Sequence, residues 1–573
     1  MIKNYPTYQV PNINSIQEML LRSAKEYSDK IALEDLSLTP ISRVSFKQLY
    51  DYVVRFGKSL FDIGVKERDH VAIISENRVQ WSLSYLTSMC FNMVAVPLDK
   101  NLNQNEMLNI IHESDAKAII FSDSFEPLMK DKRDSLLNLK YYINMDSKED
   151  RDNILSMSRM IEKQNPIIDR LPYIDPNAIC EIIFTSGSLG RAKGVMLTQK
   201  NLAANLMAMT SMIKITPEDK FLSVLPIHHK YECTCGLLCP LYAGSSAHYA
   251  QSLKTVVDDL QKVKATILLG VPLLYDKMFK KIYKGIQEDK LKSKIVPPLV
   301  SVTNFLQSIG WKGSKKLVFK ELHEKFGGSI RLFIAGGAAP DPKVAKGLRE
   351  LGFNFVQGYG LTETAPIVAL NRLFSFKDNA AGLPLPGLEI KINNPNEHGS
   401  GEIFVKGASV MLGYYKNQKL SDDAFEDGWF KTGDIGFFDK DGFLHINGRQ
   451  KNVIISKSGE NVYPEEIEDI LIRSPFIQEC MVYGEKDEKH TEIISVQIVT
   501  DAESFIEYSG KNKVQITPEL INTMISEAIK EANKELPNYK QVRKFYIRDT
   551  EFEKTTTQKI KRYLVKDVKQ NSF

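Results

Sequence analysis

The sequence predicts an α/β protein in two parts, a large region over residues 1–448 and a smaller α+β domain over 449–573. Three observations carry that prediction. Up to about residue 448, short continuous apolar runs alternate with helical patterns, as expected of parallel strands buried on both faces. After Gly448 the pattern changes to one amphipathic helix followed by two apolar strands in a unit of about 125 residues, within the usual size of one domain. The whole chain has 573 residues, 43% of them apolar and 25% charged, which is ordinary for a folded globular protein several domain-equivalents long.

Each element has a local reason. A helix begins at Ser15, where Ser15-x-x-Glu18 makes a capping box and Met19, Leu20 and Ala24 follow on one face. A second amphipathic helix runs from Phe46 to Ile63 and closes at Gly64. Strands are expected at 71–74, 93–97, 118–121, 182–184, 221–225 and 266–269. Phe437 to Ile446 reads as a hairpin with Asp441-Gly442 at its turn. In the smaller domain Pro464 suits the first position of a helix, with Glu465, Glu466 and Glu468 near its positive end. Strands follow at 479–483 and 493–499.

Composition excludes several classes. The apolar content is too high for a disordered chain, and 33 Gly and 6 Cys fit neither collagen nor a disulfide scaffold. A net charge of +4 gives no reason to expect nucleic acid as a partner. Tyr5, Pro6 and Pro11 stand where a leader would be apolar, and no run of about 18 apolar residues exists. A cytoplasmic location without a membrane span is the expectation. Cys233, Cys235 and Cys239 follow His228 and His229, but they lack paired C-x2-C knuckles and interleave with leucines, so a buried helix is expected rather than zinc. The stretch 276–320 carries eleven Lys against three acids. There Tyr275, Met278, Phe279, Ile282 and Ile286 share one helical face, which fits either an anionic lipid surface or the protein core.

Two segments carry chemistry. Phe184-Thr185-Ser186-Gly187-Ser188-Leu189-Gly190-Arg191-Ala192-Lys193-Gly194-Val195 is a strand feeding a loop of Gly, Ser and Thr with one Lys. Glycines let backbone N–H groups approach phosphate oxygens, hydroxyls donate to them, and Lys193 adds a point charge. It is not a Walker loop, because that spacing fails at Ala192. Alone it reads as a phosphate loop or as a surface loop. The second is Gln357-Gly358-Tyr359-Gly360-Leu361-Thr362-Glu363-Thr364, where a Tyr between glycines offers its ring to a base and Thr362 and Glu363 offer oxygens to magnesium. Glu363 stands where a dinucleotide fingerprint needs its third glycine, and alone the segment reads equally as a turn with a capped helix after it.

Together with Trp429-Phe430-Lys431-Thr432-Gly433-Asp434, Gly448-Arg449 and Thr555-Thr556-Thr557-Gln558-Lys559, these motifs stand in the order found in adenylate-forming (AMP-binding) enzymes. The chain resembles that superfamily, in its acyl-CoA synthetase and luciferase branch, over nearly its whole length. The resemblance implies a large multi-subdomain adenylation domain of mixed and parallel sheets, with a small C-terminal domain on a hinge at Lys451. It implies a carboxylate attacking the α-phosphate of ATP, then a thiol, usually coenzyme A, displacing AMP.

By the same resemblance, Thr185, Ser186, Gly187, Ser188, Gly190 and Lys193 hold the β- and γ-phosphates. Gly336, Gly337, Ala338, Gln357, Gly358, Tyr359 and Gly360 form the adenine slot. Thr362 reaches the α-phosphate, Glu363 holds Mg²⁺ with Thr185 nearby, and Asp434 and Arg449 meet the ribose. His229 flanks the acyl pocket, and Lys559 bridges carboxylate and phosphate in the first step. The loop 456–461 serves the second step. Departures from the family pattern are Ser188-Leu189 where two threonines are usual, Ala192 where proline is common, and Gln558 where glycine usually precedes the lysine. The Lys-rich stretch 276–326 and the segment Asn452 to Glu468 are similar to long-chain fatty acid–CoA ligases. The alternatives are an adenylating ligase for another carboxylate or a carrier-protein acceptor, and a nucleotide-binding or membrane-associated relic without activity.

Overall fold

The computed structural model describes residues 5–37, 42–164, 171–186, 192–311, 313–455, 460–486, 492–555 and 559–565. The chain divides into two compact units. The larger comprises 1–390, 405–430 and 440–444; the smaller comprises 391–404, 431–439 and 445–573. The sequence reading put a single break after 448. The observed division adds two strand segments to the smaller unit, because 401–407, 429–438 and 444–449 belong to one sheet although they are apart in sequence.

The larger unit is α/β with two mixed sheets. Among the described residues one has nine strands, and its central strands are ordered 355–360, 332–335, 267–270, 220–223, 246–249, 31–35. These central pairings are parallel. The other has eight, ordered 413–414, 192–198, 179–186, 94–97, 70–74, 118–121, 141–144, 154–156. It is parallel from 179–186 onward and antiparallel at 179–186 against 192–198. The strands expected from apolar runs are present and lie in buried positions. Helix Val79–Cys90 has all its residues buried and touches strands of both sheets, so it forms a shared middle layer. Burial on every side explains a helix with no charged residue.

Local signals act as the sequence predicts, with differences of detail. Ser15 caps helix Ile16–Glu26 by accepting from the Glu18 N–H, but the Glu18 carboxylate reaches back to Asn14 instead of Ser15. Helix Phe46–Asp62 has a complete capping box from Ser45 and Gln48. In helix Pro272–Glu288, Tyr275 is buried and Met278, Phe279 and Ile282 pack on the second apolar core. Of the two readings of this face, a lipid surface or the core, the structure shows it packed on the protein interior.

The smaller unit contains a three-stranded sheet, 477–486, 492–500 and 544–548. Helices Pro464–Leu471 and Pro518–Lys534 supply Ile467, Leu471, Ile525 and Ile529 to its core.

Candidate active site

In the larger unit the motif residues gather at strand ends. Strands 332–335 and 355–360 run parallel with Ala335 opposite Gln357, so Gly336-Gly337-Ala338 leaves one strand end beside Gln357 to Gly360. The carboxyl edge of parallel strands is where open α/β sheets place ligands. Close approach explains two glycines. A Cβ on Gly336 would lie 2.7 Å from the Tyr231 ring, and one on Gly360 would lie 1.8 Å from the Pro366 carbonyl oxygen. Tyr359 is partly exposed, on the pairing register opposite Ala369. Gln357 is buried and its amide donates to the Ala380 and Asp378 carbonyls at 2.7 and 3.1 Å. Its side chain thus fixes the neighbouring loop.

The described residues of the phosphate-loop candidate lie on two antiparallel strands. Thr185 faces Lys193 across strands 179–186 and 192–198, and its hydroxyl lies 3.5 Å from the Lys193 carbonyl. Gly187, Ser188, Leu189, Gly190 and Arg191 lie outside the described residues, as does the side chain of Ser186. Strand 413–414 pairs with Val195 and Met196 and brings in a residue that sequence reasoning missed. The Tyr414 ring carries the Lys193 ammonium 5.3 Å from its centre, and its hydroxyl donates to Glu363 Oε1 at 3.0 Å. The Met411 N–H donates to the Glu363 carbonyl at 2.8 Å. Lys193, Tyr414 and Glu363 are therefore linked across three elements. The only sequence signal was Gly413-Tyr414-Tyr415 between Leu412 and Lys416.

Thr362 and Glu363 sit in a short 3₁₀ turn, both partly exposed. Among the described residues no group of three or more His, Cys, Asp or Glu could hold a metal by itself. One accessible carboxylate suits Mg²⁺, which takes one or two carboxylates and completes its shell with phosphate oxygens and water.

His229 lies in the turn that leads from strand 220–223 into a helix, its ring 4.6 Å from that of His228. That helix opens as a π-helical segment, Glu232–Leu238. Such wide turns often occur at functional sites. They direct Tyr231, Cys235 and Cys239 toward a small apolar cavity whose wall also holds Met209, Ile213, Ala335 and Gly358. The three clustered cysteines are buried, and burial pushes the Cys233 and Cys239 thiols up to about 12. They pack as small apolar groups. Burial, partly offset by the Ser223 hydroxyl, pushes the Glu232 carboxyl up to about 8.

The smaller unit holds the remaining candidates. Asp434 is buried, and its carboxylate meets Arg449 Nε at 2.7 Å. Thr432 positions it, accepting from the Asp434 N–H at 3.1 Å and donating to the Ile403 carbonyl at 2.7 Å. Lys451 is exposed in the 3₁₀ turn Gln450–Asn452. Lys559 is exposed between two anchors. Lys554 pairs with Glu479, and Arg562 pairs with Glu468 while donating to the Val482 carbonyl at 2.9 Å. Gln558 and 456–459 lie outside the described residues.

Residues 20–415 match the family model described as AMP-binding enzyme, and 466–559 match that of the AMP-binding enzyme C-terminal domain. The chain belongs to the AMP-binding enzymes. Fatty acyl-CoA synthetase A of Dictyostelium discoideum is 28% identical over 510 residues, covering 84% of this chain and 75% of the relative. A long-chain-fatty-acid–[acyl-carrier-protein] ligase of Arabidopsis thaliana, AEE15, is 27% identical over 552 residues, covering 82% and 75%. Among solved structures, the anthranilate CoA ligase AuaEII with anthranoyl-AMP superposes with a TM-score of 0.77 at 22% identity, covering 97% of each chain. That likeness establishes the fold of this adenylate-forming superfamily for this AMP-binding enzyme.

Proposed function

We propose that this AMP-binding enzyme is an acid–thiol ligase that activates a long-chain fatty acid with ATP and transfers it to coenzyme A. The observation that carries the reading is the apolar cavity whose wall includes Ala335 and Gly358, residues of the two motif-bearing strands. An apolar acyl chain is the substrate such a wall suits. The names of the relatives and the Lys-rich stretch 276–326 support a long chain.

In the first step a carboxylate oxygen attacks the α-phosphorus and the bond to pyrophosphate breaks. In the second a thiolate attacks the acyl carbon and AMP leaves. Lys193 with Thr185, Ser186, Gly187, Ser188 and Gly190 holds the outer phosphates, with Tyr414 orienting both Lys193 and Glu363. Tyr359 stacks on adenine in the slot of Gly336, Gly337, Ala338, Gln357, Gly358 and Gly360, and Thr362 donates to the α-phosphate. Asp434 accepts from the ribose hydroxyls and Arg449 steadies that carboxylate. His229 borders the carboxyl end of the acyl pocket. Lys559 neutralises charge between carboxylate and phosphate in the first step only, with rotation about Lys451 exchanging it for the loop 456–461 in the second. Magnesium, arriving with the nucleotide and held by Glu363 near Thr185, supplies charge neutralisation on the phosphate oxygens. A cytoplasmic location fits this chemistry.

A carrier-protein thiol is the second reading, favoured by the likeness to the Arabidopsis ligase. Purified protein with ATP, Mg²⁺, a mixture of short to long fatty acids and CoA, read by mass spectrometry, tests both. Long acyl-CoA with AMP supports the first reading. Acyl-AMP without thioester moves the acceptor to a carrier protein, and absence of adenylate and pyrophosphate with every acid sinks both.

A further inference from the structure

Helix Lys290–Ser308 has two apolar faces, and among the described residues only one is covered. Val296, Leu299 and Val300 pack against the second core of the larger unit, and Thr303 is buried beside them. Leu291, Ile295, Pro298, Val302, Phe305 and Ile309 recur at alternating spacings of four and three, which puts them on one stripe of the helix and the turn that ends it. At 1.5 Å per residue the stripe is about 27 Å long. Its non-proline members are between 41% and 67% exposed, and Pro298 is exposed too. Trp311, 53% exposed, and Leu317 continue the apolar surface beyond the helix.

The surroundings are basic. Lys290 and Lys294 flank the start of the stripe, and Lys277, Lys280, Lys281, Lys316 and Lys320 are exposed on adjoining elements. Over 276–320 the only acids are Asp276, Glu288 and Asp289, for a net charge of +8. Soluble proteins leave large apolar side chains out singly, whereas a continuous stripe rimmed by lysine is how an interfacial helix meets a bilayer. A second copy is a poor occupant, since two such rims would set lysine against lysine.

We infer that the stripe Leu291–Ile309, with Trp311, docks this protein on the surface of an anionic lipid bilayer, its apolar side chains entering the headgroup–acyl boundary and its lysines facing lipid phosphates. This goes beyond the proposed reaction and stands whether or not the substrate is a fatty acid. It also relocates the lipid-facing surface from helix Pro272–Glu288, whose apolar face is packed, to the helix after it.

The test is flotation of the full chain with phosphatidylcholine vesicles, with and without phosphatidylglycerol. Binding is expected only with phosphatidylglycerol and should weaken as salt is added. The pair Phe305→Ser and Ile309→Ser should weaken it at least about tenfold, given the apolar area removed. Lys290→Gln with Lys294→Gln should weaken it as well. Trp311 supplies an independent readout in the unaltered protein. Lipids brominated in the acyl chains should quench part of the tryptophan fluorescence, and that part should vanish in Trp311→Phe. Equal flotation of the parent and the Phe305/Ile309 variant overturns the inference, as does binding without phosphatidylglycerol dependence or the absence of a quenched Trp311 component. A concentration-dependent dimer that the same variant abolishes, without vesicle binding, also overturns it and assigns the stripe to a second copy.

Discussion

Replacing Asp434 by Ala separates a ribose ligand from a structural ion pair. The Asp434 carboxylate has 5% of its side chain exposed and Arg449 has 40%, so water can solvate the arginine once its partner is gone. Losing that half-exposed pair should cost stability about 1 kcal/mol or less. If the carboxylate accepts from two ribose hydroxyls, two hydrogen bonds to a charged group are lost, at about 1.5–3 kcal/mol each. The expected fall in kcat/KM for ATP is therefore about 10²- to 10⁴-fold, at about 1.4 kcal/mol per decade. The assay is pyrophosphate release at varied ATP, with thermal melting of the same preparations. Arg449→Ala should fall less, because it removes only the group that steadies the carboxylate. A loss under about tenfold in Asp434→Ala, or equal losses in both variants together with a large drop in melting temperature, would refute the assignment and leave the pair as a structural contact.

Three further outcomes are expected. Tyr414→Phe removes the hydrogen bond to Glu363 but keeps the ring under Lys193, so adenylation should fall about tenfold while melting is unchanged; unchanged pyrophosphate release would exclude the positioning role. Lys559→Ala should block acyl-AMP formation yet spare conversion of supplied acyl-AMP to thioester, and equal loss in both half-reactions would defeat the exchange about Lys451. Glu232 binds a proton in the fold that the unfolded chain releases, its pKa standing at about 8 against an ordinary 4.5. Because the folded value is the raised one, its contribution to stability is full at low pH, falls as pH rises from about 4.5 to about 8, and is level above that. Glu232→Gln lacks this loss, so melting curves from pH 5 to 8 should show the variant gaining on the parent; parallel curves would mean that Glu232 is ionised in the fold.

The sequence made some parts legible and hid others for physical reasons. Strands 70–74, 118–121 and 267–270 were visible because burial on both faces demands unbroken apolar runs. The helix starts at Ser15 and Pro464 were visible because their chemistry is local. Tyr414 was hidden because its role depends on pairing with Val195, more than two hundred positions away. The smaller unit's claim on 391–404 and 431–439 was hidden for the same reason. Helix Lys290–Ser308 carries Pro297 and Pro298 in its interior, a breaking signal that local reading cannot override. Its two apolar faces also do not announce which one is covered. Gln357 sits in the expected motif, yet only coordinates reveal that its amide is committed to Asp378 and Ala380.

Helix Val79–Cys90 has a consequence for how the larger unit comes apart. Because strands of both sheets rest on it, neither sheet can open without exposing a fully buried helix that carries no charged residue. The two sheets are thereby bound into one cooperative unfolding unit rather than two. Amides of this helix should exchange with solvent deuterium only through global unfolding of the unit, and a protease should find no stable intermediate in which one sheet survives alone.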